Sequence, residues 1–342
     1  MNYNKESYKV SVLGAGSWGI ALALVLENNG HEVILWEFRP QVAEQLNKTR
    51  DAKEFLPGIK IPATIQVENN LEKAVFDKDI FVCAVPSHVV RQVAAQINDV
   101  KFKTKPIVIN VAKGIENESL MRMSQVLNQT IEWLSADNIV TLSGPSHAEE
   151  VSRKIPTAIV AASTDKKNAD LIQKVFMNRY FRVYTNQDII GVELGGALKN
   201  IIAIAAGICD GAGFGDNTKA ALQPRGLVEI VRLGTAMDAQ PITFAGLTGM
   251  GDLIVTCMSK HSRNRYVGEQ IGKGKKLDDI LKEMVMVAEG VKTTRSAYEL
   301  SKKYNIEMPI TEQVYQVLFE NKSTIEAMNE LMLRGPKEEK WG

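Results

Sequence analysis

The chain has 342 residues, too many for one ordinary hydrophobic core, so two domains are expected. A hydrophobic share of 45% and a charged share of 24% belong to a globular protein and exclude a disordered or fibrous one. Forty-one basic residues against forty acidic ones leave no net field for nucleic acid or an anionic membrane surface.

The first residues are polar and lead straight into a strand, so no signal peptide is expected. Cys83, Cys209 and Cys257 are scattered, odd in number and without metal-ligand spacing, which suits reduced thiols and no metal site. No apolar stretch reaches the length of a membrane span without a Lys or Asp interrupting it. A soluble, cytoplasmic protein is expected, without integral membrane association.

Through the first half, strand-like and helix-like segments alternate. Tyr8–Leu13 and Glu32–Trp36 read as strands, with helices at Ser17–Asn28 (stopped by Gly30) and Pro40–Asn47. Asp79–Val85 and Pro106–Val111 run apolar without alternation, as strands buried on both faces do. Helices are predicted at Val89–Ile97 and Leu120–Leu134, and further strands at Ile139–Leu142, Thr157–Ala162 and Phe181–Thr185. This alternation predicts an α/β, Rossmann-type doubly wound parallel sheet over residues 1–188. After that the strand signal stops, and Val192–Ile208, Lys219–Met237, Gly251–Cys257, Arg263–Ile271, Thr293–Lys303 and Glu312–Phe319 predict an all-helical domain over 189–342.

Gly14, Gly16 and Gly19 form a GxGxxG between the first strand and the first helix, followed at once by Ser17 and Trp18 inside the motif. The first glycine permits a tight turn, the second lets backbone amides approach a pyrophosphate, and the third allows close helix–strand packing. The helix N-terminus adds free N–H groups and positive potential. Glu37, at the end of the second strand, would bond an adenosine ribose and favour NAD, whereas Arg39 would meet a 2′-phosphate and Phe38 would stack on adenine. The two charges point opposite ways, and the cofactor is written NAD(P)H.

Further along, Lys113 follows a buried strand at the edge where open α/β sheets hold ligands, either to meet a substrate or as an exposed strand-end lysine. At Ser143–Ala148, Gly144 would admit a close backbone approach, and Ser146 would offer a hydroxyl and cap the next helix. His147 in the same turn is a tempting general acid, although turn histidines are more often exposed and idle. Asp252 and Thr256 lie four apart and share one helix face, N-capping being the competing explanation for Asp252. Ser262, Arg263 and Asn264 open another helix with hydroxyl, guanidinium and amide together, a phosphate-binding combination or a capped polar first turn.

Lys199 and Asn200 interrupt a run that is otherwise small and apolar, with only Glu193 as a third polar residue. A helix apolar nearly all round is a buried one. A lysine inside it must find a partner, line a wet cavity or lose its proton, and each outcome suits proton transfer near neutral pH.

Seven colinear segments between about residues 10 and 295 resemble the bacterial-type NAD(P)-dependent glycerol-3-phosphate dehydrogenases. They are GAGSWGIALA (14–23), VAKGIE (111–116), SGPSHAEEV (143–151), GVELGGALKNIIAIAAGI (191–208), TGMGDLIVTC (248–257), SRNRYVG (262–268) and AEGVKTT (288–294). The resemblance implies a helical second domain like that of 6-phosphogluconate dehydrogenases. It also implies reversible reduction of dihydroxyacetone phosphate to sn-glycerol 3-phosphate for glycerophospholipid synthesis, by a homodimer. Lys199 then matches the proton donor/acceptor, with Lys113, Gly144, Ser146, Asp252, Ser262, Arg263 and Asn264 matching substrate contacts and Thr256 beside them. Ser17, Trp18, Lys113, Ala148, Arg263, Val287 and Glu289 match cofactor contacts, with Phe38 and Arg39 at the adenosine end. On this reading Lys199 faces the cleft between the domains. A related β-hydroxy acid or sugar-phosphate dehydrogenase is the alternative. Two residues depart from the family pattern: His147 replaces a usual phenylalanine, a packing substitution. Pro224 sits inside a helical pattern, where that helix is expected to begin or kink.

Overall fold

The computed structural model describes residues 6–100, 102, 104–284 and 286–339. It divides into two compact units, one of residues 1–112 and 123–189, the other of 113–122 and 190–342. The division near residue 189 is where the strand signal ends. The segment Lys113–Arg122, however, belongs with the helical unit although the chain around it does not.

The first unit carries eight strands: β1 (Lys9–Leu13), β2 (Glu32–Trp36), β3 (Gln66–Glu68), β4 (Ile80–Cys83), β5 (Ile107–Asn110), β6 (Ile139–Ser143), β7 (Thr157–Ala162) and β8 (Phe181–Asn186). Their order is β3-β2-β1-β4-β5-β6-β7-β8. β4 and β5 are buried at every position, as their largely apolar runs require, whereas β8 at the edge alternates buried Phe181 and Val183 with exposed Arg182 and Tyr184. All neighbours are parallel except β6 and β7, which are antiparallel. That departs from the wholly parallel sheet expected. A parallel crossover needs a return element about as long as the strand, and between these two strands stands only the one-turn helix Ala148–Val151.

The helix predicted over Leu120–Leu134 is confined to Met123–Thr130. Leu120 has φ +59, a left-handed conformation that no helix contains, and residues up to Arg122 pack elsewhere. The short β3, with one apolar residue among three, carried no periodic signal.

In the second unit the predicted Lys199 helix runs Ile189–Gly211, and every residue from 191 to 209 is buried. It forms the middle of a core with Leu227, Leu233, Phe244, Leu253, Val267 and Leu300. This helix is long and apolar enough to cross a membrane by length and composition, and so is the stretch Pro241–Met258. The first is a core helix of this unit, and the second is broken into Pro241–Phe244, a π turn Leu247–Gly251 and the helix Asp252–Met258. Helix Arg263–Gly272 lies against the Lys199 helix at backbone contact. A Cβ on Gly207 would fall 2.0 Å from the Arg265 carbonyl oxygen, and one on Gly268 would fall 2.0 Å from that of Ile204. The helix containing Pro224 spans Asp216–Ala236, so it does not begin at the proline. The ring removes only the bond to the Ala220 carbonyl, and Leu222, Leu227 and Ile230 on either side are buried in the core that holds the helix together.

Candidate active site

In the first unit the glycine loop has the geometry its spacing demands. Gly14 has φ +116, and a Cβ there would sit 2.8 Å from the Ala84 carbonyl oxygen. A Cβ on Gly19 would fall 1.9 Å from the Gly14 carbonyl oxygen, so the first helical turn rests on the loop itself. Space at Gly16 is open, and the helix Ser17–Asn28 starts there with no side-chain cap. Ser17 is buried, and Trp18 packs on the core with its indole Nε1 buried and lacking a hydrogen-bond partner.

Glu37 and Arg39, which pull the nucleotide preference in opposite directions, are partners. The buried Glu37 carboxylate accepts from Arg39 Nε at 2.7 Å, from Arg39 Nη2 at 3.3 Å and from the Arg39 backbone N–H at 3.0 Å. The guanidinium also lies 5.4 Å from the ring centroids of both Phe38 and Phe55, and Phe38 is itself 66% exposed. Gly144 has φ +141 and packs against Ile159. Ser146 does not cap the next helix: its hydroxyl donates to the Gly144 carbonyl at 3.1 Å, and half-buried His147 occupies the cap position without a side-chain bond to the helix. Ala148 is buried and begins that helix.

The second unit gathers four of the predicted residues. Lys199 is 5% exposed; its Nζ lies 2.9 Å from Asp252 Oδ1 and donates to Thr256 Oγ1 at 2.5 Å. The Thr256 hydroxyl donates in turn to the Asp252 carbonyl oxygen at 2.6 Å. Lys113 Nζ donates to the other carboxylate oxygen, Asp252 Oδ2, at 2.7 Å. Asp252 is therefore no N-cap: Gly251 holds that position, and the carboxylate bridges two ammonium groups. Nor is Lys113 an exposed strand-end residue, since its side chain is only 20% exposed. Burial alone would raise the Asp252 carboxyl, but the Lys113 and Lys199 cations more than offset it and hold it below the usual carboxylate range. Burial, aided by the Lys113 charge, brings the Lys199 ammonium down to about 8 against the opposing pull of Asp252.

Around the start of helix Arg263–Gly272, Ser262 accepts from the Arg265 backbone N–H at 3.2 Å, so it does cap. Exposed Arg263 donates from Nη1 to the Val287 carbonyl at 3.0 Å, just before Glu289 opens the next helix. Asn264 donates to Asn200 Oδ1 and accepts from the Gly290 backbone N–H, both at 2.9 Å. Sequence reasoning missed this Asn200–Asn264–Gly290 chain, which engages the Asn264 amide at both ends. The proximity of Asn200 to Lys199 was its only visible sign.

Two profiles of one family match the chain. That of the NAD-dependent glycerol-3-phosphate dehydrogenase N-terminus covers residues 9–169, and that of its C-terminus covers residues 188–329. The chain belongs to the NAD-dependent glycerol-3-phosphate dehydrogenase family. Among its relatives, glycerol-3-phosphate dehydrogenase [NAD(P)+] of Pelotomaculum thermopropionicum is 54% identical over 97% of this chain and 95% of its own length. The Bacillus subtilis protein of the same name is 53% identical over 97% of this chain and 96% of its own length. The crystal structure of glycerol-3-phosphate dehydrogenase from Coxiella burnetii matches with a TM-score of 0.92 at 33% identity, covering 96% of this chain and all of that one.

The residues of this family member fit a dinucleotide. An open space at Gly16, a helix start with no side-chain cap and a buried indole N–H without a partner are what a bound pyrophosphate would complete. Gly14, Gly16, Ser17, Trp18 and Gly19 would hold it there, and Phe38 and Arg39 would meet the adenosine end.

Proposed function

We propose that the chain interconverts dihydroxyacetone phosphate and sn-glycerol 3-phosphate as an NAD(P)-dependent oxidoreductase acting on a CH–OH group, with Lys199 as its acid/base. The observation that carries this reading is a buried lysine, tuned to about 8, whose ammonium is fixed by Asp252 and Thr256. An ammonium has three N–H groups; with two engaged, the third is left to a substrate oxygen. Reduced nicotinamide, when bound, supplies a hydride to the C2 carbonyl carbon. Lys199 gives a proton to the C2 oxygen as negative charge develops there, and in reverse takes the proton from the C2 hydroxyl. Asp252 stays ionised between two cations and holds both, so Lys113 is set to meet a substrate oxygen or the cofactor from the side of Asp252 opposite Lys199.

Arg263, at a helix N-terminus with Ser262 and Asn264, would grip the phosphate through its planar fork. Gly144 and Ser146 would add substrate contacts from their turn; Ala148, Val287 and Glu289 would contact the cofactor. Residues 1–188 then form the cofactor domain and 189–342, with the segment 113–122, the catalytic domain. We also read the protein as a cytoplasmic homodimer that supplies glycerophosphate for phospholipid synthesis. Three buried free cysteines support a reducing compartment, and exposed Met250, Ile254 and Met258, recurring every fourth residue, offer an apolar face to a second copy.

The test is loss of the near-ultraviolet absorbance of NADH and NADPH, side by side, on adding dihydroxyacetone phosphate. Turnover with at least one is expected; turnover with neither would refute the reading.

A further inference from the structure

The segment Lys113–Arg122 is a closed hairpin within the second unit. Ile115 pairs antiparallel with Arg122, and the Glu116 N–H donates to the Met121 carbonyl at 3.0 Å. Ile115 is 2% exposed in the helical core, and its carbonyl accepts from the Ser296 hydroxyl at 3.1 Å. One end of the hairpin delivers Lys113 to Asp252. The other end is Arg122, whose guanidinium is bonded to the Glu193 carboxylate. The Arg122 side chain is 10% exposed and that of Glu193 4%, and Glu193 stands on the same buried helix as Lys199.

A buried ion pair is a poor source of stability, because desolvation offsets much of the Coulomb gain. A guanidinium N–H donating to a carboxylate oxygen, here Arg122 Nη1 to Glu193 Oε2, is nevertheless directional and holds both side chains in place. We propose that Arg122 and Glu193 are positioning residues for the reaction: their pair locks the hairpin so that Lys113 stays on Asp252 Oδ2 while Lys199 holds Oδ1. Neither touches Lys199, which faces Asp252, Lys113 and the Cys257 thiol. The pair acts on Lys199 through Lys113. The Lys113 cation lowers the proton affinity of Lys199, so a hairpin that swings away would raise it.

The role assumes the dehydrogenase reading above, and the test keeps the two apart. The double variant Arg122→Met/Glu193→Met removes both charges of the pair together, while Arg122→Lys keeps the charge without the planar guanidinium. Both are compared with wild type in melting temperature and in kcat and KM for dihydroxyacetone phosphate. The pH profile of Lys199 acylation by acetic anhydride is read by mass spectrometry on the protein alone. The double variant is expected to melt near wild type, to lose about ten- to a hundredfold in kcat/KM, and to show a higher acylation midpoint at Lys199. Arg122→Lys should fall between. A folded double variant with wild-type kinetics and midpoint would overturn the role. So would a double variant that does not fold, since the pair would then serve stability. A raised midpoint in a protein whose wild type does not reduce dihydroxyacetone phosphate would uphold the positioning and sink the dehydrogenase reading.

Discussion

Lys199 owes its usefulness to two opposed influences on one ammonium group. Burial and Lys113 favour the neutral amine, Asp252 favours the cation, and the balance leaves a group that titrates near 8. Ketone reduction needs the protonated form, so its rate should fall as pH rises through about 8. Alcohol oxidation needs the free amine, so its rate should rise through the same range. Initial rates in both directions across pH check this, and parallel profiles would contradict it. Residue chemistry made part of this legible in advance: a lysine in an apolar helix demanded a partner, and the Asp252/Thr256 spacing offered one. The role of Lys113 was not legible in the same way, because it is 139 positions from Asp252 and only the fold brings them together. Glu37 and Arg39 are likewise two separate charges in the sequence and an ion pair in the structure, a contact their spacing alone did not announce.

At the scale of elements, the site depends on two helices meeting at backbone distance. The Lys199 helix and helix Arg263–Gly272 interlock through Gly207 and Gly268, which seats Asn264 beside Asn200. In Gly268→Ala the new methyl would meet the Ile204 carbonyl oxygen, a backbone atom that cannot swing aside. The expected cost is about 1–3 kcal/mol or more, read as a lower melting temperature, together with a higher KM for dihydroxyacetone phosphate. Wild-type melting and KM would show that the seam is not tight. Helix and strand identities in this protein were largely visible as periodicity. Strand direction was not, because an apolar run reads the same whichever way β7 lies against β6. The expected helix start at Leu120 failed for a related reason: Leu120 and Met121 carry the apolar character of a helix, but they serve a hairpin whose partners lie elsewhere in the chain.

At the scale of the whole molecule, a net charge of +1 offers little electrostatic barrier to self-association. Sedimentation should report a mass twice that of the chain, and Met258→Glu, which places a charge on an exposed apolar stripe, should shift it toward the monomer. A wild-type monomer would refute the dimer. Removing the lysine itself tests its role most directly. In Lys199→Ala, NADPH binding, followed by its fluorescence, should stay close to wild type, because the glycine loop is untouched. Turnover of dihydroxyacetone phosphate should fall by about 10²–10⁴-fold or more. Wild-type turnover in that variant would contradict the assignment of Lys199 as the acid/base.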